Sequence, residues 1–213
     1  YEAINREYQH ALEQGKASDF MQELMLTIGN PENRLISNNE IMWYNSSKLD
    51  LRACNIYITT DFATSAKESA DYNVIAVWAV DKDGKIYLVD GIRKKQKVKE
   101  SIAQVFAYAE MYEPISVGIE ISGQQQGFLE WILDEMDRRN VYMPLASNKR
   151  SSNTVDLGIR PTANKFNRFM SIVPWFQTRR FHFPEDKKTS DIMVGIMSEI
   201  ELAANNGFKS KND

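Results

Sequence analysis

From Asn55 onward, apolar and polar positions fall into runs of definite period. Residues 55–61 (NIYITTD) alternate and predict a strand that stops on Asp61. Residues 73–81 (NVIAVWAVD) are almost continuously apolar, the pattern of a strand buried on both faces. The Asp-Gly of "DKDGK" predicts a tight turn, and 85–92 (KIYLVDGI) the returning strand of a hairpin. Over 97–112 the period lengthens: Val98, Ile102, Val105, Phe106 and Ala109 make one helical face, and Pro114 ends it. A short strand, 115–121 (ISVGIEI), carries the single charge Glu120 and breaks at Ser122-Gly123. A second amphipathic helix presents Phe128, Trp131, Ile132 and Met136, and 141–145 (VYMPL) reads as another strand. Residues 146–160 read as loop. A helix over 161–172 opens on Pro161, where proline is tolerated, and 180–183 (RFHF) is a short strand. The last helix, 189–204, turns Ile192, Met193, Ile196, Met197 and Ile200 inward.

Before Asn55 the pattern is weaker. Residues 2–28 read as helical with apolar and polar positions mixed, and Gly29, Asn30 and Pro31 break the run. Within 31–54, "SNNE" caps a short helix that runs through Trp43 and Tyr44. The expected division is a helical linker or appendage over 1–54 and one folded domain over 55–213. In that domain three strands joined by short turns are antiparallel neighbours, and later helix crossovers make parallel ones. The fold class is therefore α/β, a mixed sheet with helices on its faces.

Composition narrows the setting. Apolar residues are 43% and charged residues 26% of 213, as in ordinary globular chains. No apolar run reaches the roughly 18–20 residues of a membrane helix. The opening at Tyr1, with no initiator Met, reads as a fragment of a longer protein without a signal peptide. Cys54 is the only cysteine, which excludes a disulfide framework and a cysteine zinc site and suits a reducing cytosol. Net charge is −3, but its distribution matters more. Residues 145–188 hold nine bases (Lys149, Arg150, Arg160, Lys165, Arg168, Arg179, Arg180, Lys187, Lys188) against three acids (Asp156, Glu185, Asp186), an excess of +6 that suits a polyanion such as DNA. "RKKQKVK" at 93–99 is the other place for a DNA path should that segment prove ordinary surface.

Asp61 and Glu120 end two apolar strands. If those strands are parallel neighbours, both carboxylates enter one space at one sheet edge, where they repel unless one is protonated or a cation lies between them. Hard oxygen ligands select Mg²⁺ or Mn²⁺. A third acid is expected, and Asp213 in "KSKND" follows the last helix. A lone acid of this kind is usually a turn or cap residue. The combination of two strand-end acids, an acidic tail and a basic segment favours chemistry. His10 and His182 lie outside the acid cluster, and His182 in "FHF" reads as a packed strand residue.

The stretches "TTDFATSAKESADYNVIAVWAVDKDGKIYLVDG", "ISVGIEISGQQQGFLEWI", "ANKFNRFMSIVPWFQTRRFHFP" and "KSKND" carry a resemblance. Together they resemble the nuclease domain of the large terminase subunit of tailed bacteriophages, which has a ribonuclease H-like fold. "DFMQELMLTIGNPENRLISNNEIMWY" is similar to the segment that links that family's ATPase to its nuclease. No single motif is specific; the ordered set is what resembles the family. The resemblance implies a divalent-metal-dependent endonuclease that uses two ions in the family's manner of phosphodiester hydrolysis, with little sequence specificity. It implies Asp61 and Glu120 as metal ligands. The family's last motif has consecutive aspartates, so the third ligand is either Asp213 or an acid beyond it. Asp71 matches a family acid and would be an accessory ligand, and Lys165 and Arg168 match a "K..R" pattern near DNA and active site. Lys149, Arg150, Arg179 and Arg180 join them as expected DNA contacts. The implied partners are double-stranded DNA, the terminase ATPase domain, the small terminase subunit and the portal, in the cytoplasm of an infected bacterium and with no membrane. No G-x-x-x-x-G-K-[ST] loop is present, so ATP hydrolysis by that route is excluded. A Holliday-junction resolvase, a transposase-type nuclease and an inert docking module are the alternatives.

Overall fold

The computed structural model describes residues 34–63, 71–121, 126–150, 155–204 and 207–208. Its main sheet contains β1 (Met42–Tyr44), β2 (Asn55–Asp61), β3 (Asn73–Val80), β4 (Ile86–Lys94), β5 (Ser116–Ile119) and β8 (Phe181–Pro184), in the order β1-β8-β4-β3-β2-β5. β2, β3 and β4 are successive antiparallel neighbours, whereas β5 lies parallel to β2 and β8 parallel to β4. Four helices are described: α1 (Val98–Tyr112), α2 (Gln126–Arg139), α3 (Lys165–Gln177) and α4 (Asp191–Leu202). Two small ladders complete the set, β6 (Lys149–Arg150) with β7 (Val155–Asp156), and β9 (Ala203–Ala204) with β10 (Gly207–Phe208). The fold is α/β of the ribonuclease H-like kind, as expected.

The period-2 alternation of β3 splits the core between two faces. Ile75, Val77 and Ala79 point to α1 and α2, where they meet Ile102, Val105, Phe106, Ile132 and Met136. Val74, Ala76 and Trp78 point the other way, toward Val173 and Phe176 of α3 and Ile192, Met193 and Ile200 of α4. Each fully buried Ile, Phe or Met contributes roughly 1.5–3 kcal/mol. A bulge interrupts the β3–β4 ladder: Val77 pairs with Asp90 but Trp78 with Leu88, which leaves Val89 as the extra residue.

Several expectations change. Trp43 and Tyr44 do not continue a helix. The capped turn stops at Glu40, where Ser37 and Glu40 exchange a capping box, and the next residues enter the sheet as edge strand β1 beside β8. Residues 34–54, the described part of the expected appendage, thus pack with the domain: Ile36 is buried, and the Tyr44 hydroxyl donates to Leu88 O at 2.8 Å. The helix over 2–28 lies outside the described residues. Residues 141–145 form no strand of their own; Leu145 makes a single parallel bridge to Val117. The loop 146–160 contains the β6–β7 ladder. α3 starts at Lys165 rather than Pro161, because the side chain of Asn164 caps it by accepting from Asn167 N at 2.8 Å. On α2, Leu129 takes the buried position and Trp131, one residue out of phase with Ile132, is exposed.

Candidate active site at one end of the sheet

The parallel ladder of β2 and β5 brings Thr60 opposite Ile119. The next residues on each strand are Asp61 and Glu120, so the acids sit side by side, one strand spacing of about 4.8 Å apart at the backbone. Across the antiparallel ladders, Asp61 faces Val74 and Val74 faces Arg93. A row of four neighbours, Glu120, Asp61, Val74 and Arg93, therefore crosses the end of the sheet. All four line a cavity of about 510 Å³ between the sheet, α3 and α4. The rest of its wall is largely apolar and includes Trp78, Phe169, Ile172, Phe176 and Ile196.

Glu120 is fixed by what surrounds it. Its strand continues as a parallel bridge to Ile159, where Ile159 N donates to Ile119 O and Ile121 N donates to Ile159 O, both at 2.8 Å. The approach is close enough that Gly158 adopts φ +92°, and a side chain there would run into Ile121. The carboxylate accepts from Arg168 Nη1 at 3.0 Å. The side chains of the pair are 36% and 23% exposed, so it is only partly shielded from water. A buried Arg168 Nε has no hydrogen-bond partner. The i, i+3 spacing of Lys165 and Arg168 puts both on the α3 face that lines the cavity. Asp61 is exposed at its strand end.

Two carboxylates on adjacent strand ends are hard oxygen donors of the kind Mg²⁺ and Mn²⁺ take, and the guanidinium on Glu120 already supplies positive charge where a cation would go. The residues fit such an ion in chemistry. Among the described residues no group of three or more Asp, Glu, His or Cys gathers closely enough to hold a metal alone. Asp213 lies outside the described residues. Asp71 is exposed just before β3, near the same sheet end.

The expected DNA contacts do not share one place. Arg168 and Lys165 line the cavity. Arg160 makes a two-pronged ion pair with Asp156, at 2.8 and 3.0 Å. Lys188 pairs with Glu185 at 3.1 Å, and Lys187 with Asp90 at 3.5 Å. Lys149 and Arg150 form the backbone of β6. Arg179 and Arg180 precede β8, where Ile86 N donates to Arg180 O at 2.8 Å. Ile86 lies roughly 24 Å down β4 from Arg93 at about 3.4 Å per residue. That is the sheet end opposite the acids.

Some residues escaped the sequence reading. Glu199 of α4 lines the cavity with Ile196 and Ile200, inward apolar positions of the same helix that gave no hint of a polar space. Asn73 is 1% exposed: its Oδ1 accepts from Ala63 N at 3.1 Å and its Nδ2 donates to Gln96 O at 2.9 Å. An asparagine opening a strand reads as a turn residue, and only the fold shows that it joins the chain beyond Asp61 to the segment beyond β4. Gly195 of α4 is the place where the Arg93 side chain crosses the helix, with Nε 2.7 Å from where a Cβ would stand.

No family model and no curated protein matches the sequence. Solved structures do. The human cytomegalovirus terminase nuclease domain, Mn-soaked and inhibitor-bound, is 10% identical at TM-score 0.55, covering 78% of this chain and 86% of that one. The large terminase nuclease from the thermophilic phage G20c with bound cobalt is 16% identical at TM-score 0.52, covering 82% of this chain and 85% of that one. Its magnesium-bound form gives 16% identity and TM-score 0.51, covering 83% and 85%. Low identity over most of both chains means that the shared property is backbone architecture. This chain has the ribonuclease H-like fold of the terminase nuclease domains.

Proposed function

We propose that the chain is a divalent-metal-dependent endonuclease that cuts double-stranded DNA, and that it is the nuclease part of a viral DNA-packaging terminase. The observation that carries this reading is the adjacency of Asp61 and Glu120 on parallel strand ends, with Arg168 against Glu120. The fold neighbours that hold Mn, Co and Mg support it. Two ions, when bound, would activate a water for attack on phosphorus and stabilise the leaving 3′ oxygen. The carboxylates of Asp61 and Glu120 hold them, with Asp213 as the third ligand and Asp71 as an accessory one. Lys165 and Arg168, on one face of α3, meet the phosphate. Backbone contacts of this kind carry no sequence information, so cleavage depends little on sequence. The preceding ATPase domain, the small terminase subunit and the portal are the proposed partners, and the bacterial cytoplasm the setting. Among the described residues no helix is long and apolar enough to cross a membrane.

The test is incubation of supercoiled plasmid with Mn²⁺ or Mg²⁺, with EDTA as control. Nicked and linear products that need metal are expected, and no cleavage at any metal concentration would overturn the reading. Preference for branched DNA would redirect it to a resolvase, and strand-transfer products to a transposase. In the same samples Mn²⁺ should raise the melting temperature. At about a hundredfold excess over Kd the linkage is about 2.7 kcal/mol, or about 5–10 °C for a domain of this size.

Arg168 competes with the ion for Glu120. Arg168→Gln removes that competitor, a partly exposed pair worth about 1 kcal/mol, so Mn²⁺ affinity should rise about fivefold. Cleavage at saturating Mn²⁺ should nevertheless fall, because the phosphate loses a cation. Calorimetric titration reads the first effect and plasmid cleavage the second. Weaker Mn²⁺ binding in the variant would show that Arg168 supports the carboxylates instead of competing for them.

A further inference from the structure

We infer that the strand-to-helix segment 93–99, together with Tyr72, is the surface that grips the sugar-phosphate backbone of a duplex beside the acids. The inference rests on the nuclease reading and deepens it by placing the substrate.

The segment runs Arg93, Lys94, Lys95, Gln96, Lys97, Val98, Lys99 and is followed by Glu100, its one neighbouring acid in sequence. Lys94, Lys95, Lys97 and Lys99 are exposed. Unlike Arg179 and Arg180, these leave the sheet at the acid end: Lys94 pairs with Asn73, and Arg93 with Val74, which itself faces Asp61. Arg93 is two strand spacings from Asp61, about 10 Å. That equals about three nucleotide steps at about 3.4 Å per step along one DNA strand, so a backbone cut at the acids passes over this segment.

Its side chains are arranged as well as charged. Arg93 Cζ lies 3.6 Å from the centre of the Tyr72 ring and Lys95 Nζ 4.9 Å from it. One ring therefore orients two cations. The run then enters the start of α1. Lys97 is the N-cap and Lys99 lies in the first turn, and there the helix dipole disfavours cations. The local bonds there are to protein atoms: Lys97 N donates to Glu100 Oε2 at 3.2 Å, and Glu100 N and Ser101 N donate to Lys97 O at 2.9 and 3.2 Å. Lysines crowded at the wrong helix end are an electrostatic cost that a polyanion relieves. Asn73 ties the assembly to the acids, bonding at once to Gln96 and to Ala63, two residues past Asp61.

The test is a salt titration of anisotropy with a short fluorescein-labelled duplex in EDTA, where binding is read without cleavage. Lys94→Ala/Lys95→Ala/Lys97→Ala should weaken binding to two unrelated sequences equally and lower the slope of log affinity against log salt by about three. Tyr72→Leu keeps every charge, so it should weaken affinity severalfold with little change in slope. Arg179→Ala/Arg180→Ala, at the far end of the sheet, should match the parent. A triple variant with the parent's affinity and slope overturns the surface and leaves the nuclease reading standing, as does an equal loss in the far-end variant. A parent that neither binds the duplex nor cuts plasmid overturns both.

Discussion

Asp61→Asn is expected to lower metal-dependent cleavage at least about a thousandfold, the equivalent of about 4 kcal/mol of transition-state stabilisation. Asparagine keeps the shape of the side chain and one oxygen, but not the charge that holds a divalent ion against its hydration. The loss should not come from unfolding, because Asp61 is exposed at the end of β2 and contributes nothing to either core. Far-UV circular dichroism should therefore match the parent while plasmid stays supercoiled and Mn²⁺ no longer raises the melting temperature. Parental cleavage in this variant would sink the assignment of the acids. Glu120→Gln should be as inactive, with Arg168 left facing a neutral amide.

Asn73→Ala should have the largest effect on stability among substitutions at the site. The residue is 1% exposed and uses both ends of its amide. Alanine would leave Ala63 N–H and Gln96 C=O without their partner, at about 1–3 kcal/mol for each group left unsatisfied. A total of about 2–6 kcal/mol is a large share of the roughly 5–15 kcal/mol that holds a domain folded. The melting temperature should drop by about 4–24 °C at about 2–4 °C per kcal/mol. Asn73→Asp should not rescue it, since a carboxylate cannot donate to Gln96 O. A variant that melts with the parent would show that water replaces both bonds and that the acid strand needs no such tie.

How much of this was legible in the sequence follows from the range over which each signal acts. Strands β2, β3 and β4 and helix α1 are long, and their period is set by their own residues, so they could be read directly. Asp61 and Glu120 could be read too, because an acid that ends an apolar run is a local contrast. β1 was not legible: "MWY" is too short to show alternation, and it is a strand only because β8 offers it an edge. Asn73 and Glu199 gain their meaning from partners on other elements. The dispersal of the bases of 145–188 was hidden for the same reason. A count of charge along the chain says nothing about which end of a sheet each charge reaches, and Arg179 and Lys165 reach opposite ends.

The extra residue at Val89 has a consequence for that geometry. Even and odd positions of β4 exchange sides at this point: Leu88 shares a side with α3 and α4, yet so does Arg93, an odd number of residues later. Strict parity along the strand would send Arg93 toward α1 and take its cation away from the acids. A β4 of the same length but without the bulge would therefore strip that cation from the site without altering a single residue that lines it, whereas deletion of Val89 alone would close the bulge and leave Arg93 on its present side. Transplants of this strand have to preserve parity before they preserve sequence.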